Sequence, residues 1–213
     1  MNACSHAVVS AFMLAWLAAS PALAEGAPSS RYTRVNLEQP QCTSAPAPVE
    51  GFSCMGVAGW TLNVGFPAFG ATLNFSRHKG RVSAVSPTQG RQVEIDGLAG
   101  KTTTIEWRGT THGSAFEPYA AIIRVLVLDA RQRLAMIEQG SPPASARRAQ
   151  ILMVTRLGRE GSCVVAYVDA QANPKPNDLA RAAADTAGKA TTCPVEQVDI
   201  RGVETPVLTG YIR

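Results

Sequence analysis

The sequence predicts a mainly β, α+β fold: an antiparallel sandwich or barrel-like sheet with one C-terminal helix packed on it. Three observations predict it. Short apolar or alternating runs follow one another closely from Trp60 to Asp169, punctuated by glycine and proline, the pattern of many short strands in one sheet system. One run, Ala121–Leu128, is almost wholly apolar and rich in β-branched residues, as a central strand is. A single strong helix signal lies near the C-terminus, behind Asn173.

At the start, Ala7–Ala19 is apolar around Phe12, Met13, Leu14, Trp16 and Leu17. As a helix this run reaches only about 20 Å, short of a hydrocarbon core of roughly 30 Å. Pro21 follows, and Ala22-Leu23-Ala24 offers small residues before a cut. Residues 1–24 therefore read as a secretory signal peptide. Residues 25–30 (EGAPSS) read as a disordered leader, and 31–213 as one β-rich domain. No later run is apolar enough for a transmembrane segment, so none is expected after signal removal. The net charge of +4 and an aromatic content of 6%, with no basic-aromatic stripe, speak against a nucleic-acid partner.

Arg31–Leu37 is expected as a first strand, and Pro40, Pro46 and Pro48 mark a loop after it. Further strands are expected at Trp60–Gly65, Ala71–Ser76, Arg81–Ser86, Gln92–Ile95, Thr102–Arg108, Ala120–Asp129, Leu134–Glu138, Gln150–Leu157 and Cys163–Asp169. Ala71–Ser76 alternates apolar and polar, as a strand with one wet face does. The segment Gln139–Arg148, with adjacent prolines, reads as the most flexible loop. The helix is expected at about 174–187, with Asn173 as cap and Pro174 in the first position. Leu179, Ala182, Ala183 and Thr186 would form its packing face. Arg181 and Asp185, four apart, would pair on its surface, and Gly188 would stop it. Val195–Ile200 and Pro206–Ile212 read as a last hairpin.

Removing Cys4 with the signal leaves Cys42, Cys54, Cys163 and Cys193. An even count in an exported chain predicts two disulfides, in one of three pairings. A strand from Cys163 to Asp169 carries the chain roughly 20 Å away, and a helix at about 1.5 Å per residue brings it back. That path favours Cys163–Cys193 and leaves Cys42–Cys54 to staple the proline-rich loop. Zinc is not expected: there is no C-x-x-C, and His78 and His112 lack ligand spacing to the cysteines.

The block Tyr167-Val168-Asp169-Ala170, Asn173-Pro174, Asn177, Leu179-Ala180-Arg181 and Asp185, ending at Cys193, resembles one in a group of uncharacterised exported proteins of Gram-negative bacteria. Cys163 and the run Ile105-Glu106-Trp107-Arg108 fit the same group, so the resemblance covers about Arg31 to Cys193. It implies export and a strand–helix–cysteine unit, and it assigns no catalytic residue. Pro176 stands where a better helix former is expected.

No reactive constellation emerges from the residues. There is no G-x-S-x-G, and Ser141 and Ser162 sit in loop-like contexts. His78, in the basic turn Arg77-His78-Lys79, and His112 read as surface loop histidines. Glu106 and Glu117 are a trivial match to a carboxylate pair among 16 acids. No catalytic residue, metal or cofactor is therefore expected. The binding candidates are Arg124, Glu106, Arg108 and Asp169. Arg124 interrupts an apolar strand; the plainer reading is a strand with one half-wet face, and on a buried face it would need a carboxylate, Glu106 or Asp169. Alternation puts Ile105 and Trp107 in the core, with Glu106 and Arg108 on the other face. Asp169, at a strand end before the helix, is placed to order the loop and to accept hydrogen bonds from the amides at the helix start. The expected role is a non-catalytic binding or interaction module in the periplasm or outside the cell. Its expected partner is an envelope protein or a small anionic ligand. The competing expectation is a small hydrolase with a loop-built site around His78 or His112.

Overall fold

The computed structural model describes residues 26–44, 51–66, 71–77, 102–128, 130–140, 148–159, 161–190, 193 and 198–212. The segment 1–24 expected as a signal peptide, the strands expected at Arg81–Ser86 and Gln92–Ile95, His78 and most of the loop expected at 139–148 lie outside them.

The described residues form two β-sheets and three helices. A four-stranded antiparallel sheet takes its strands in chain order: β2 (Cys42–Ser44), β3 (Gly51–Met55), β4 (Thr61–Gly65) and β5 (Thr72–Ser76). A six-stranded sheet contains β1 (Ser29–Val35), β6 (Thr103–His112), β7 (Ala115–Val127), β8 (Ala149–Gly158), β9 (Gly161–Asp169) and β10 (Asp199–Ile200), in the order β1-β6-β7-β8-β9-β10. All its pairings are antiparallel except β9–β10. Helix α1 (Ala130–Gln139) follows β7, α2 (Pro176–Gly188) follows β9, and α3 (Pro206–Ile212) ends the chain.

Period-two alternation divides each central strand between two cores. Ile105, Trp107, Ile123, Val125, Ile151 and Met153 point at the small sheet, where Leu62, Val64, Leu73 and Phe75 meet them. Trp107 is fully buried there, edge-on to Phe75 with ring centroids 5.5 Å apart, and its indole N–H donates to Thr33 Oγ1. Gly56 lies flat against this indole; a Cβ there would come within 2.2 Å of the ring. Ala120, Ile122, Leu152, Val154, Ala166 and Val168 point the other way, onto Ala180, Ala183 and Ala184 of α2. Alanines let the helix lie close to the sheet, so the molecule has three layers: small sheet, large sheet, helix.

Both disulfides pair as expected. Cys42–Cys54 joins residues directly opposite one another on β2 and β3, and Cys163–Cys193 ties the start of β9 to the chain beyond α2. No helix among the described residues is long and apolar enough to cross a membrane.

Several elements differ from expectation. Ser29 and Ser30 belong to β1, because they pair with Gly109 and Arg108 instead of extending the leader. The apolar run expected as strand Leu134–Glu138 is α1; its neighbours are mostly strong helix formers, and they outweigh four apolar letters. Three helices therefore replace the single one expected. The expected final hairpin is instead a short parallel strand, β10, and α3. Thr205 Oγ1 accepts from Leu208 N and Pro206 takes the first helical position, so the cap chemistry predicts a helix there. Helix α2 starts at Pro176 with no side-chain cap, because Asn173 is turned elsewhere. Its buried face is Ala180, Ala183, Ala184 and Ala187, each one residue on from the expected face. Ser162 is buried in β9, where it hydrogen-bonds the Phe75 backbone across the sheets.

Candidate functional site

Two arginine–carboxylate pairs cross the interface between α2 and the large sheet, with charges exchanged. On β6, Glu106 and Arg108 stand two residues apart, about 7 Å along the strand. On α2, Arg181 and Asp185 stand one turn apart, about 6 Å along the axis. The near-equal steps let both pairs close. Arg181 grips Glu106 in a fork, Nε to Oε1 at 2.6 Å and Nη2 to Oε2 at 3.2 Å. Arg108 grips Asp185 likewise, Nε to Oδ1 at 2.6 Å and Nη2 to Oδ2 at 2.8 Å. Such bidentate pairs are the strong form of the ion pair. Ser30 links them, donating to Glu106 Oε1 and accepting from Arg108 Nη1. The pair Arg181–Asp185 expected on the helix surface therefore does not form. Both residues reach down to the sheet, where partly buried partners outbid a solvated neighbour.

Tyr119 completes the arrangement. Ala120 pairs with Arg108 and Pro118 with Gly109, so Tyr119 is the extra residue of a bulge. The bulge turns Tyr119 onto the α2 face, where its hydroxyl donates to Asp185 Oδ1 at 2.6 Å. Burial pushes the Tyr119 phenol well above its usual range, and the hydrogen bond to Asp185 adds to this. Burial works to raise the Asp185 pKa, but hydrogen bonds from Arg108 and Tyr119 outweigh it and hold the carboxyl below its ordinary value. The bond to Asp185 raises Arg108, and the bond to Glu106 raises Arg181.

Asp169 orders the loop as expected, but its donors are turn amides and not those of the helix start, because α2 begins only at Pro176. Its Oδ1 accepts from the amides of Gln171 and Ala172, and Oδ2 accepts from Thr205 Oγ1 at 2.8 Å. Asn173 donates to the Asp169 carbonyl and accepts from Val203 N. Together they tie the C-terminal segment to the end of β9. Gly202 adopts φ +81°, and a Cβ there would strike Asn173 Oδ1 at 2.1 Å, so glycine is required twice over.

Arg124 is the exception. It lies on the α2-side face of β7, half-buried, in a cleft of about 480 Å³ beside the first turns of α2. Ile122, Leu126 and Leu152 contribute apolar surface, while Gln150, Asn177 and Tyr32 add polar groups. Glu106 and Arg181 stand in the wall, already bound to each other. Arg124 thus lies on the half-wet strand face of the plainer expectation, and neither carboxylate that a buried face would need pairs with it. Glu106 is satisfied by Arg181 and Ser30, and Asp169 by its turn and Thr205. The described partner of Arg124 is the neutral amide of Gln150, Nη1 to Oε1 at 2.9 Å. A guanidinium has five N–H donors, so most of this one's capacity stays open. Asn177 makes no side-chain hydrogen bond among the described residues, unlike Asp169, Asn173, Arg181 and Asp185 of the same sequence block.

Of the four binding candidates, the cleft holds Arg124 and Glu106. Arg108 sits in the paired network, and Asp169 in the turn beyond β9. Sequence reasoning missed Arg181, Tyr32, Gln150 and Asn177 as cleft residues. His112 is exposed at the end of β6 with Thr110 as hydrogen-bond partner. Glu117 stands exposed opposite Thr110, away from Glu106, which lies opposite Ile122. Among the described residues no group of three potential metal ligands gathers. No family model, curated protein or solved structure matches the chain.

Proposed function

We propose that this chain is an exported, non-catalytic binding protein of the periplasm or extracellular space, and that its cleft takes a small organic anion with a short apolar body. The observation that carries the reading is the Arg124 guanidinium: half-buried, bonded to one neutral amide, and open to the cleft. A charge so placed is a receptor for a carboxylate, which it can take bidentately. The aliphatic floor of Ile122, Leu126 and Leu152 suits a hydrocarbon body, and Asn177 and Tyr32 offer further hydrogen bonds. Export is supported by the two disulfides, which suit an oxidising compartment, and by the apolar N-terminal run.

Isothermal titration with butyrate, succinate and inorganic phosphate tests the cleft. A carboxylate binds with millimolar affinity, about −4 kcal/mol, and Arg124→Gln weakens it at least about ten-fold with an unchanged melting temperature. No heat with any of the three, or equal binding by Arg124→Gln, contradicts the proposal.

A further inference from the structure

We infer a second site, at the opposite end of the large sheet, for a single-chain amphiphile with an anionic head. The β7–β8 ladder stops at Ala120–Arg156. The β6–β7 hairpin runs on to His112–Ala115, and the β8–β9 hairpin to Gly158–Gly161. The two hairpins thus part like a fork. Pro118, which has no N–H to donate, stands just beyond the last β7–β8 pair. A groove of about 1200 Å³ lies here.

The chemistry of its walls is two-sided. Trp60, Phe75 and Leu157 are core residues that reach the groove, and Pro118 and Tyr119 extend the apolar surface. Around it stand Arg77 at the end of β5, Arg159 in the β8–β9 turn and Lys189 just after α2, all exposed, with Arg156 behind them. Arg77 and Arg159 make no hydrogen bond or ion pair among the described residues; Lys189 acts on Asp185 through space. Two carboxylates line the groove as well, Asp185 and Glu117, and Asp185 is already bound by Arg108. Three exposed cations, Arg77, Arg159 and Lys189, therefore stand with two anions over an apolar floor, and Arg156 is engaged with the Ala190 carbonyl. An inorganic anion leaves that floor unused, and a neutral hydrocarbon leaves the cations unused. A fatty-acid-like molecule uses both.

Trp60 makes the groove its own reporter. The chain, purified with both disulfides closed, is titrated with brominated stearate, its methyl ester and a brominated lysophosphatidic acid, reading tryptophan quenching. The acid quenches saturably, and the ester binds about ten-fold or more weakly, the worth of one charge contact. The exposed double variant Arg159→Glu/Lys189→Glu loses about the same factor for the acid and nothing for the ester. Trp60→Phe removes the quenched component. Whichever of stearate and lysophosphatidic acid binds tighter identifies a carboxylate or a phosphate head. No saturable quenching, equal quenching by acid and ester, or quenching that survives Trp60→Phe overturns the inference. Arg124→Gln leaves all these results unchanged, so this site and the Arg124 cleft fail independently.

Discussion

Arg108 and Asp185 illustrate how a local pattern hides a distant partner. Alternation along β6 puts Glu106 and Arg108 on one face, and helical spacing puts Arg181 and Asp185 on one face; both were legible. What was not legible is that the two faces meet, because that depends on where α2 lands on the sheet. Arg124 was legible for the opposite reason: a charge in an apolar strand stands out by itself. Its partner Gln150 did not stand out, since an amide at the start of a strand is unremarkable in sequence. The Asp185 pairing has a consequence for acid stability. Its carboxyl is held below the ordinary value of 3.8. It therefore contributes stability above that value and loses the contribution as pH falls through the lower, folded one. Asp185→Asn should flatten the acid limb of the stability curve below about pH 4, measured by urea unfolding at stepped pH. An acid limb unchanged in the variant would show that the pair with Arg108 is not an anchor.

At the scale of elements, α1 and α2 show two limits of pattern reading. Leu-Ala-Met-Ile in α1 is too short to distinguish period two from period 3.6, so propensity decides. In α2 the existence of the helix was clear, but alanine contrasts too weakly with its neighbours to fix the buried stripe. Gly188 reads from sequence as a helix stop, and the structure supplies a different reason for it. A Cβ at this position would lie 2.6 Å from the Tyr119 ring. The ring cannot swing aside cheaply while its hydroxyl is held by Asp185. In an open helix, alanine for glycine stabilises by up to about 1 kcal/mol. Here overpacking wins, and Gly188→Ala should cost about 1–2 kcal/mol. In a Tyr119→Leu background, which loses the bond to Asp185 by itself, the same Gly188→Ala change should recover the helix gain, and chemical denaturation of each pair with and without Gly188→Ala reads the sign directly.

For the molecule as a whole, strand count and punctuation revealed a sandwich, while strand order did not follow from them. The parallel β9–β10 contact and the fork between the hairpins are long-range features without a local code. The cysteines were the exception, because a strand out and a helix back confine where Cys193 can arrive. In the chain-entropy view the Cys163–Cys193 bond, closing 30 residues, stabilises more than Cys42–Cys54, closing 12, by about 0.8 kcal/mol. Cys163→Ser/Cys193→Ser should therefore lower the urea midpoint further than Cys42→Ser/Cys54→Ser; the reverse order would place greater strain or less loop gain at the longer bond. The central claim, that Arg124 is an open anion receptor beside the paired Glu106–Arg181 and Arg108–Asp185 groups, is tested most directly by NMR of arginine Nε–Hε groups during a butyrate titration. The account predicts that the Arg124 signal shifts saturably while that of Arg108, locked on Asp185, stays in place. A stationary Arg124 signal, or a shift confined to Arg108, would contradict it.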